Sequence, residues 1–355
     1  VSESRDPDFT RASCPIPIAQ YPTILLAHGG GGRLTKMLIE TIFVPQFANA
    51  ALDELHDGAV VDVGGSRLAF STDSFVVRPL FFPGGDIGSL SINGTVNDLA
   101  MCGARPLALS AGLILEEGLP MDDLWRITTS MKDAAARAGV SIVTGDTKVV
   151  DRGKGDGVYI NTAGIGVIAP GIEISPKRAR PGDVVILTGS MAVHGIAVMS
   201  VREGLEFGTE LRSDTTPLSG MVEALLAELG SRVHVLRDPT RGGVATTLNE
   251  IAVSAGVGIL LHERDLPVRE EVLGACELLG LDPLYVANEG ICLVFVEREA
   301  ADEALGILRA TPAGAESLIV GEVVADHPGT VWLVSRIGGT RVLDLLTGEQ
   351  LPRIC

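Results

Sequence analysis

Short apolar runs alternate with stretches of helical spacing along this chain, and the joints between them are glycines and aspartates. Ile24-Leu25-Leu26-Ala27 breaks into His28-Gly29-Gly30-Gly31-Gly32-Arg33, after which Leu34, Leu38 and Ile42 mark one face of an amphipathic helix. Residues 59–77 read as strand, Gly64-Gly65 turn and strand, the second strand delivering Asp73. Asn97-Asp98-Leu99-Ala100 falls on a helix that stops at Gly103, ahead of a strand over 107–115. A helix over 121–138 leads to a strand over 140–143, predicted to end in the turn Thr144-Gly145-Asp146-Thr147-Lys148, and a strand over 160–168 follows. Short strands interleaved with helices in this way place the chain in the α+β class.

Two prolines and clustered charge from Ser175 to Asp183 mark a boundary. With 355 residues and 46% hydrophobic content the chain can bury two cores. The predicted organisation is an extension over 1–22, an N-terminal domain over 23–174, a C-terminal domain over 182–335, and a final strand and tail over 336–355. In the second half a strand over 184–187 precedes a turn and a helix opened by His194. A strand from Val233 runs into Asp238-Pro239-Thr240-Arg241-Gly242-Gly243, then a helix to Ile251 and a strand over 257–261. That passage resembles the Asp98 region in outline and suggests two copies of one α+β unit. Glu289 is predicted on a turn between two apolar strands, followed by a helix over 300–310 and strands over 317–324, 331–334 and 341–344.

Charge narrows the function. The 28 basic and 45 acidic residues leave a net −17, which argues against a nucleic-acid partner and an anionic membrane surface. No apolar run reaches the roughly 20 residues that span a bilayer, and residues 1–15 lack a signal-peptide core, so a cytoplasmic location is expected. Five scattered cysteines with no Cys-x-x-Cys pair fit neither a disulfide framework nor a structural zinc site. Cys102, Cys276 and Cys292 sit in apolar surroundings, which leaves Cys355 as the thiol positioned to react.

Several residues carry candidate chemistry. The glycine run before a helix is either an anion cradle or an ordinary flexible turn; it is neither a Walker A loop nor G-x-G-x-x-G. Asp73, Asp98 and Asp146, each at the end of an element, offer the oxygen ligands that Mg2+ prefers, although a single aspartate at a turn is ordinarily a cap. His194 could meet a ligand or be satisfied locally, and Glu289 is a general base or a turn acid. Leu351-Pro352-Arg353-Ile354-Cys355 reads as an extended, flexible arm, and from Glu349 onward it could carry a sulfur roughly 23 Å. Arg353 favours the thiolate while a terminal carboxylate opposes it.

Over roughly residues 23 to 355, these stations resemble the carbamoyl dehydratase (HypE) family of [NiFe] hydrogenase maturation factors. That family belongs to the larger group of aminoimidazole ribonucleotide synthetase, selenophosphate synthetase and thiamine-monophosphate kinase. The broad resemblance rests on His28 to Gly32, Ser71-Thr72-Asp73, Asn97-Asp98-Leu99-Ala100, Gly145-Asp146-Thr147 and Asp238 to Gly243. The narrow one rests on Asn288-Glu289-Gly290 and Pro352-Arg353-Ile354-Cys355. The resemblance implies a two-domain aminoimidazole ribonucleotide synthetase-like fold, with mixed or antiparallel sheets covered by helices, and a homodimer formed by the N-terminal domains. It implies ATP held by His28, Gly29, Gly30, Gly31, Gly32, Asn97 and Thr147, Mg2+ on Asp73, Asp98, Asp146 and Asp238, and catalysis by Cys355, Glu289 and Lys148. A carbamoyltransferase, HypF, would load Cys355, ATP-dependent dehydration would make a protein thiocyanate, and the cyano group would pass to an iron held by HypC–HypD. Val193 stands where the family often has an acid before His194, so His194 stays outside the catalytic set. A selenophosphate synthetase-like enzyme and a nucleotide-binding scaffold that only presents its tail remain as alternatives.

Overall fold

The computed structural model describes residues 23–205, 211–346 and 353–355. The expected N-terminal extension with Cys14, and tail residues 347–352, lie outside the described residues.

Helix α1 (Arg33–Leu38) continues through a π-helical turn (Ile39–Phe43) into α2 (Val44–Phe47), so the apolar spacing from Leu34 to Ile42 spans a change of helical pitch. Strands β1 (Ala59–Val63) and β2 (Ser66–Phe75) form the predicted hairpin, and a two-residue pair, β3 (Phe81–Phe82) and β4 (Gly85–Asp86), leads into α3 (Ile87–Met101). Asp86 caps α3, accepting from the Ser89 N–H at 2.9 Å. Then come β5 (Ala104–Glu116), α4 (Met121–Ala138), β6 (Ser141–Val150) and β7 (Val158–Ile168). The predicted turn at Asp146 is absent: β6 runs straight through it because residues 141–150 pair in parallel with β5.

The second half contains β8 (Val184–Leu187), α5 (Val193–Glu203), α6 (Ser219–Leu229), β9 (Val233–Arg237) and α7 (Gly243–Ala255). It continues with β10 (Gly258–His262), α8 (Glu270–Leu279), β11 (Leu293–Val296), α9 (Ala301–Arg309), β12 (Leu318–Val324), β13 (Val331–Val334) and β14 (Thr340–Leu343). The strand expected just before Glu289 is instead a short 3-10 turn, Pro283–Tyr285, because Pro283 starts it and the Asp282 carboxylate accepts the Leu284 N–H.

The N-terminal sheet has the order β1-β2-β7-β5-β6 and is antiparallel except for β5 with β6. The C-terminal sheet has the order β14-β13-β10-β12-β8-β11-β9 and is antiparallel except for β10 with β13. The halves are both α+β but differ in strand number and order.

Alternation along β8 and β11 divides the core. Val184, Ile186, Val294 and Val296 face a core shared with α3, α6 and the N-terminal sheet, while Val185, Leu187, Leu293 and Phe295 face a second core against α7 and α8. Helix α3 is buried along nearly its whole length, as a helix wedged between two layers must be, and it carries Asp98 to the cleft between the halves.

Candidate active site

Four carboxylates converge on that cleft. Asp57 precedes β1, Asp73 ends β2, Asp98 lies in the last turn of α3 and Asp238 follows β9. All four line a cavity of about 440 Å3, together with Gly31, Thr35, Lys36, Thr72, Arg237, Thr240 and Arg241. Asp57, Asp98 and Asp238 each offer an oxygen, and the three oxygens lie within 4.8 Å of one another. Burial pushes Asp98 and Asp238 well above the carboxylate range, with the neighbouring carboxylates adding to the shift; burial also raises Asp73, against the pull of Arg241. Ser71 Oγ lies 2.6 Å from Asp98 Oδ2, and Arg237 Nε lies 2.8 Å from Asp57 Oδ1. So many acids in one low-dielectric pocket are a standing invitation to a cation, and the all-oxygen donor set fits Mg2+.

The glycine run closes one side of this cavity. Gly31 sits at φ +77°, and a Cβ there would stand 2.8 Å from the Arg241 carbonyl; a Cβ on Gly32 would stand 2.7 Å from the Leu346 carbonyl. Glycine is needed for that close approach of backbones. Gly31 N–H donates to Thr35 Oγ1, and Gly31 lines the cavity. His28 is buried beside it, with Nδ1 2.9 Å from the Leu25 nitrogen.

The thiol is carried by a segment docked on the N-terminal half. Residues 353–355 run alongside the end of β2: Val76 N–H donates to the Cys355 carbonyl at 3.2 Å, and Arg78 N–H to the Arg353 carbonyl at 3.2 Å. Ile354 is 2% exposed and joins the interdomain core, and the Arg353 side chain pairs with Asp156. Burial pushes the half-buried Cys355 thiol up, Arg241 opposes that shift, and Glu289, Asp73 and Asp238 reinforce it. Arg241 in turn is held above its ordinary range by Cys355 first, against burial, and then by Asp73, Glu289 and Asp98. Arg241 is therefore coupled electrostatically to both the acid cluster and the thiol. Cys102, Cys276 and Cys292 are buried, and burial drives Cys276 to about 11 and Cys292 to about 12.

Glu289 is 3% exposed, its Oε1 has no hydrogen-bond partner, and burial first, then Asp238, Asp73 and Asp214, raises it well above the usual range. Its backbone is held from two sides. The Glu289 N–H donates to Asp214 Oδ1 at 3.2 Å, and the Glu289 carbonyl accepts from Asn97 Nδ2 at 3.3 Å. Asn97, expected to hold the nucleotide, spends its amide on the Thr216 and Glu289 carbonyls and on the Leu218 N–H. Here it is a tie between the halves.

Asp146, Thr147 and Lys148 are placed elsewhere. Through the register Asp73 to Thr162, Thr162 to Ala111 and Ala111 to Gly145, the Asp146 segment is three strands away from Asp73. At about 4.8 Å per strand that is about 14 Å. Asp146 and Lys148 are about 70% exposed on the edge strand and pair with each other at 2.6 Å. Within one chain they join neither the acid cluster nor the thiol.

Two family descriptions match this architecture: "AIR synthase related protein, N-terminal domain" over residues 55–168, and "AIR synthase related protein, C-terminal domain" over 180–334. Carbamoyl dehydratase HypE of Azotobacter vinelandii is 52% identical over 333 residues, covering 94% of this chain and 97% of that protein. The chain belongs to the HypE family of carbamoyl dehydratases. A crystal structure of a HypE–HypF complex matches with a TM-score of 0.83 at 48% identity, over 87% of this chain and 99% of that one. A HypE crystal structure in complex with ATP matches with a TM-score of 0.79 at 50% identity, over 94% and 100%.

Sequence reasoning about this HypE-family chain passed over three residues that line the cavity or hold the Glu289 turn: Asp57, Arg241 and Asp214. Arg241 was legible in the Asp238 to Gly243 motif, where only its acid was weighed. Asp57 and Asp214 stand in loops without a flanking pattern, and nothing local shows that the fold buries them.

Proposed function

We propose that the chain dehydrates an S-carbamoyl group on Cys355 to a thiocyanate at the expense of ATP, supplying the cyanide ligand of a [NiFe] hydrogenase iron. The observation that carries this reading is the C-terminal thiol, held by the Val76–Cys355 hydrogen bond within electrostatic reach of Glu289, Arg241, Asp73 and Asp238, the last three of which line the acidic cavity. An acid cluster with a glycine loop suits a metal–nucleotide substrate, and a thiol placed next to it suits a group carried on that sulfur.

The carbamoyl oxygen takes the γ-phosphoryl group of ATP, one N–H proton leaves, and ADP departs. The second nitrogen proton then leaves as the C–O bond breaks, giving thiocyanate and phosphate. Glu289 is the base that takes these protons in turn, giving the first up to solvent before it takes the second, and burial gives its carboxylate the basicity to accept them. Arg241 balances the negative charge gathered on the phosphorylated oxygen. The glycine loop His28 to Gly32 covers the phosphates. Mg2+ on Asp57, Asp73, Asp98 and Asp238 would neutralise the phosphate charge during transfer.

Asp146, Thr147 and Lys148 contribute in this reading only through a second copy of the chain. Support comes from the N-terminal sheet, whose face away from α3 exposes Phe70, Leu107, Ile114 and Ile165, and whose edge exposes Val143 and Val149. An apolar sheet face of that extent suits a homodimer. HypF as the loading enzyme and HypC–HypD as acceptor follow from the family. No helix among the described residues is long and apolar enough to cross a membrane, and a cytoplasmic setting is consistent with these partners.

The test is the intact mass of protein loaded by HypF and carbamoyl phosphate, then freed of HypF and nucleotide. A gain of about 43 Da on Cys355 that falls by about 18 Da on adding ATP and Mg2+ establishes the dehydratase. A persistent gain favours the scaffold, and no gain at all rejects Cys355 as the acceptor.

A further inference from the structure

His194 opens α5 and is completely buried. Its Nε2 lies 3.1 Å from the Ile354 carbonyl oxygen and its Nδ1 lies 2.8 Å from Ser213 Oγ. Phe82 from the N-terminal half meets the ring edge to face, with centroids 5.5 Å apart. A carbonyl oxygen can only accept, so Nε2 carries the proton and Nδ1 takes the Ser213 hydroxyl proton. Burial keeps the imidazole neutral, which this tautomer requires.

An apolar side chain would fill this place without the cost of burying a polar ring. What it would not supply is a donor for the carbonyl one residue before the thiol. Ser213 also leads directly into Asp214, whose carboxylate accepts the Glu289 N–H. One short loop thus holds the imidazole at one residue and the turn of the base at the next. The same loop is fixed to the N-terminal half, where the Ser213 N–H donates to the Pro83 carbonyl at 2.8 Å.

We propose that His194 is the positioning residue that recognises the seated tail, binding the Ile354 carbonyl so that the Cys355 sulfur stands in register with Glu289. This deepens the dehydratase reading and rests on it. When the tail leaves to be loaded, His194 loses its acceptor; when it returns, the hydrogen bond to Ile354 re-forms within a site already fixed by Ser213. Withdrawing the donor leaves a buried carbonyl unsatisfied, which shifts seating toward the released tail by about tenfold.

The test uses the full chain and two readouts. In the first, Cys355 is alkylated with iodoacetamide under native conditions and followed by peptide mapping, with buried Cys102, Cys276 and Cys292 as internal controls. In the second, purified S-carbamoylated protein is given ATP and Mg2+, and loss of water is timed in a single turnover. His194→Ala is expected to alkylate at Cys355 about tenfold faster and to lose water at least about tenfold more slowly, while loading by HypF is undiminished. His194→Gln, whose amide can donate to the same carbonyl, recovers much of both; His194→Leu recovers neither. If His194→Ala does not fold, Ser213→Ala is read in the same assays, with an expected change of about threefold. Unchanged alkylation in the folded variants, or His194→Gln no better than His194→Leu, overturns the proposal. If wild-type protein never loses water on ATP, the dehydratase reading fails instead, and the alkylation readout still judges the role of His194.

Discussion

Two acidic stations of this chain look alike in sequence and end up in opposite surroundings. Asp98 lies on a helix wedged between two layers, is half-buried, and shares its cavity with Asp57, Asp73 and Asp238. Asp146 lies on the edge of a sheet, open to solvent and paired with Lys148. The lesson is that an acidic motif becomes a cation site only where the fold stacks carboxylates and removes water; on an edge, the same residues remain an ordinary surface pair worth little. The Asp146 station acquires a catalytic neighbourhood only if another molecule supplies it.

The largest expected effect breaks the enclosed side of this comparison. Asp98→Asn and Asp238→Asn should each slow single-turnover loss of water by at least about 100-fold, and Glu289→Gln by a similar factor. Near-normal turnover in Asp98→Asn would remove the acid cluster from the mechanism. Next, Lys148→Ala should lower turnover by roughly tenfold or more, although its side chain is exposed within its own chain. An equal mixture of Lys148→Ala and Cys355→Ala chains should recover about a quarter of the wild-type sites, because a mixed dimer holds one intact pairing. No recovery on mixing would mean that Lys148 does not act across subunits.

A third measurement concerns buried charge. Burial raises Asp214 to about 6, above its ordinary 3.8, so its proton stabilises the fold and that stabilisation is lost as pH rises through about 6. Burial lowers His194 to about 4 from 6.5, so its contribution is present above 6.5 and is lost as pH falls toward 4. The two slopes oppose each other between 4 and 6. Asp214→Asn should therefore change stability little at pH 4 and raise it by about 2 kcal/mol at pH 7, read by denaturant unfolding. Equal effects at both pH values would show that Asp214 is not held protonated by burial. The smallest effect belongs to the open side. Val143→Lys should leave unfolding free energy within about 0.5 kcal/mol while weakening self-association in sedimentation. An unchanged association constant would take β6 out of the subunit contact.

Much of the architecture was legible because periodicity and glycine or proline punctuation are local signals. The hairpin of β1 and β2 and helices α4 and α9 all stand where the residue pattern puts them. What failed was non-local. Thr144 to Lys148 carries turn-like residues, yet its pairing with β5 overrides them and keeps the strand going. Leu284 and Tyr285 look like strand, but Pro283 and the Asp282 carboxylate turn them into a helical turn. In the site, the motifs pointed to Asp73, Asp98, Asp238 and Glu289, and the fold gathers them. His194 was set aside because Val193 replaces the acid that often precedes it, and its partners, Ser213 and Ile354, are 19 and 160 residues away. Only folding shows that they meet.

Gly290 packs backbone to backbone against the Asp214 peptide. A Cβ on Gly290 would stand 1.7 Å from the Asp214 carbonyl oxygen, an overlap that no rotamer relieves. The residue after Glu289 therefore has no freedom in sequence space. In a library of all single substitutions selected for hydrogenase maturation, position 290 should be as intolerant as Cys355 itself, although glycine has no side chain with which to do chemistry.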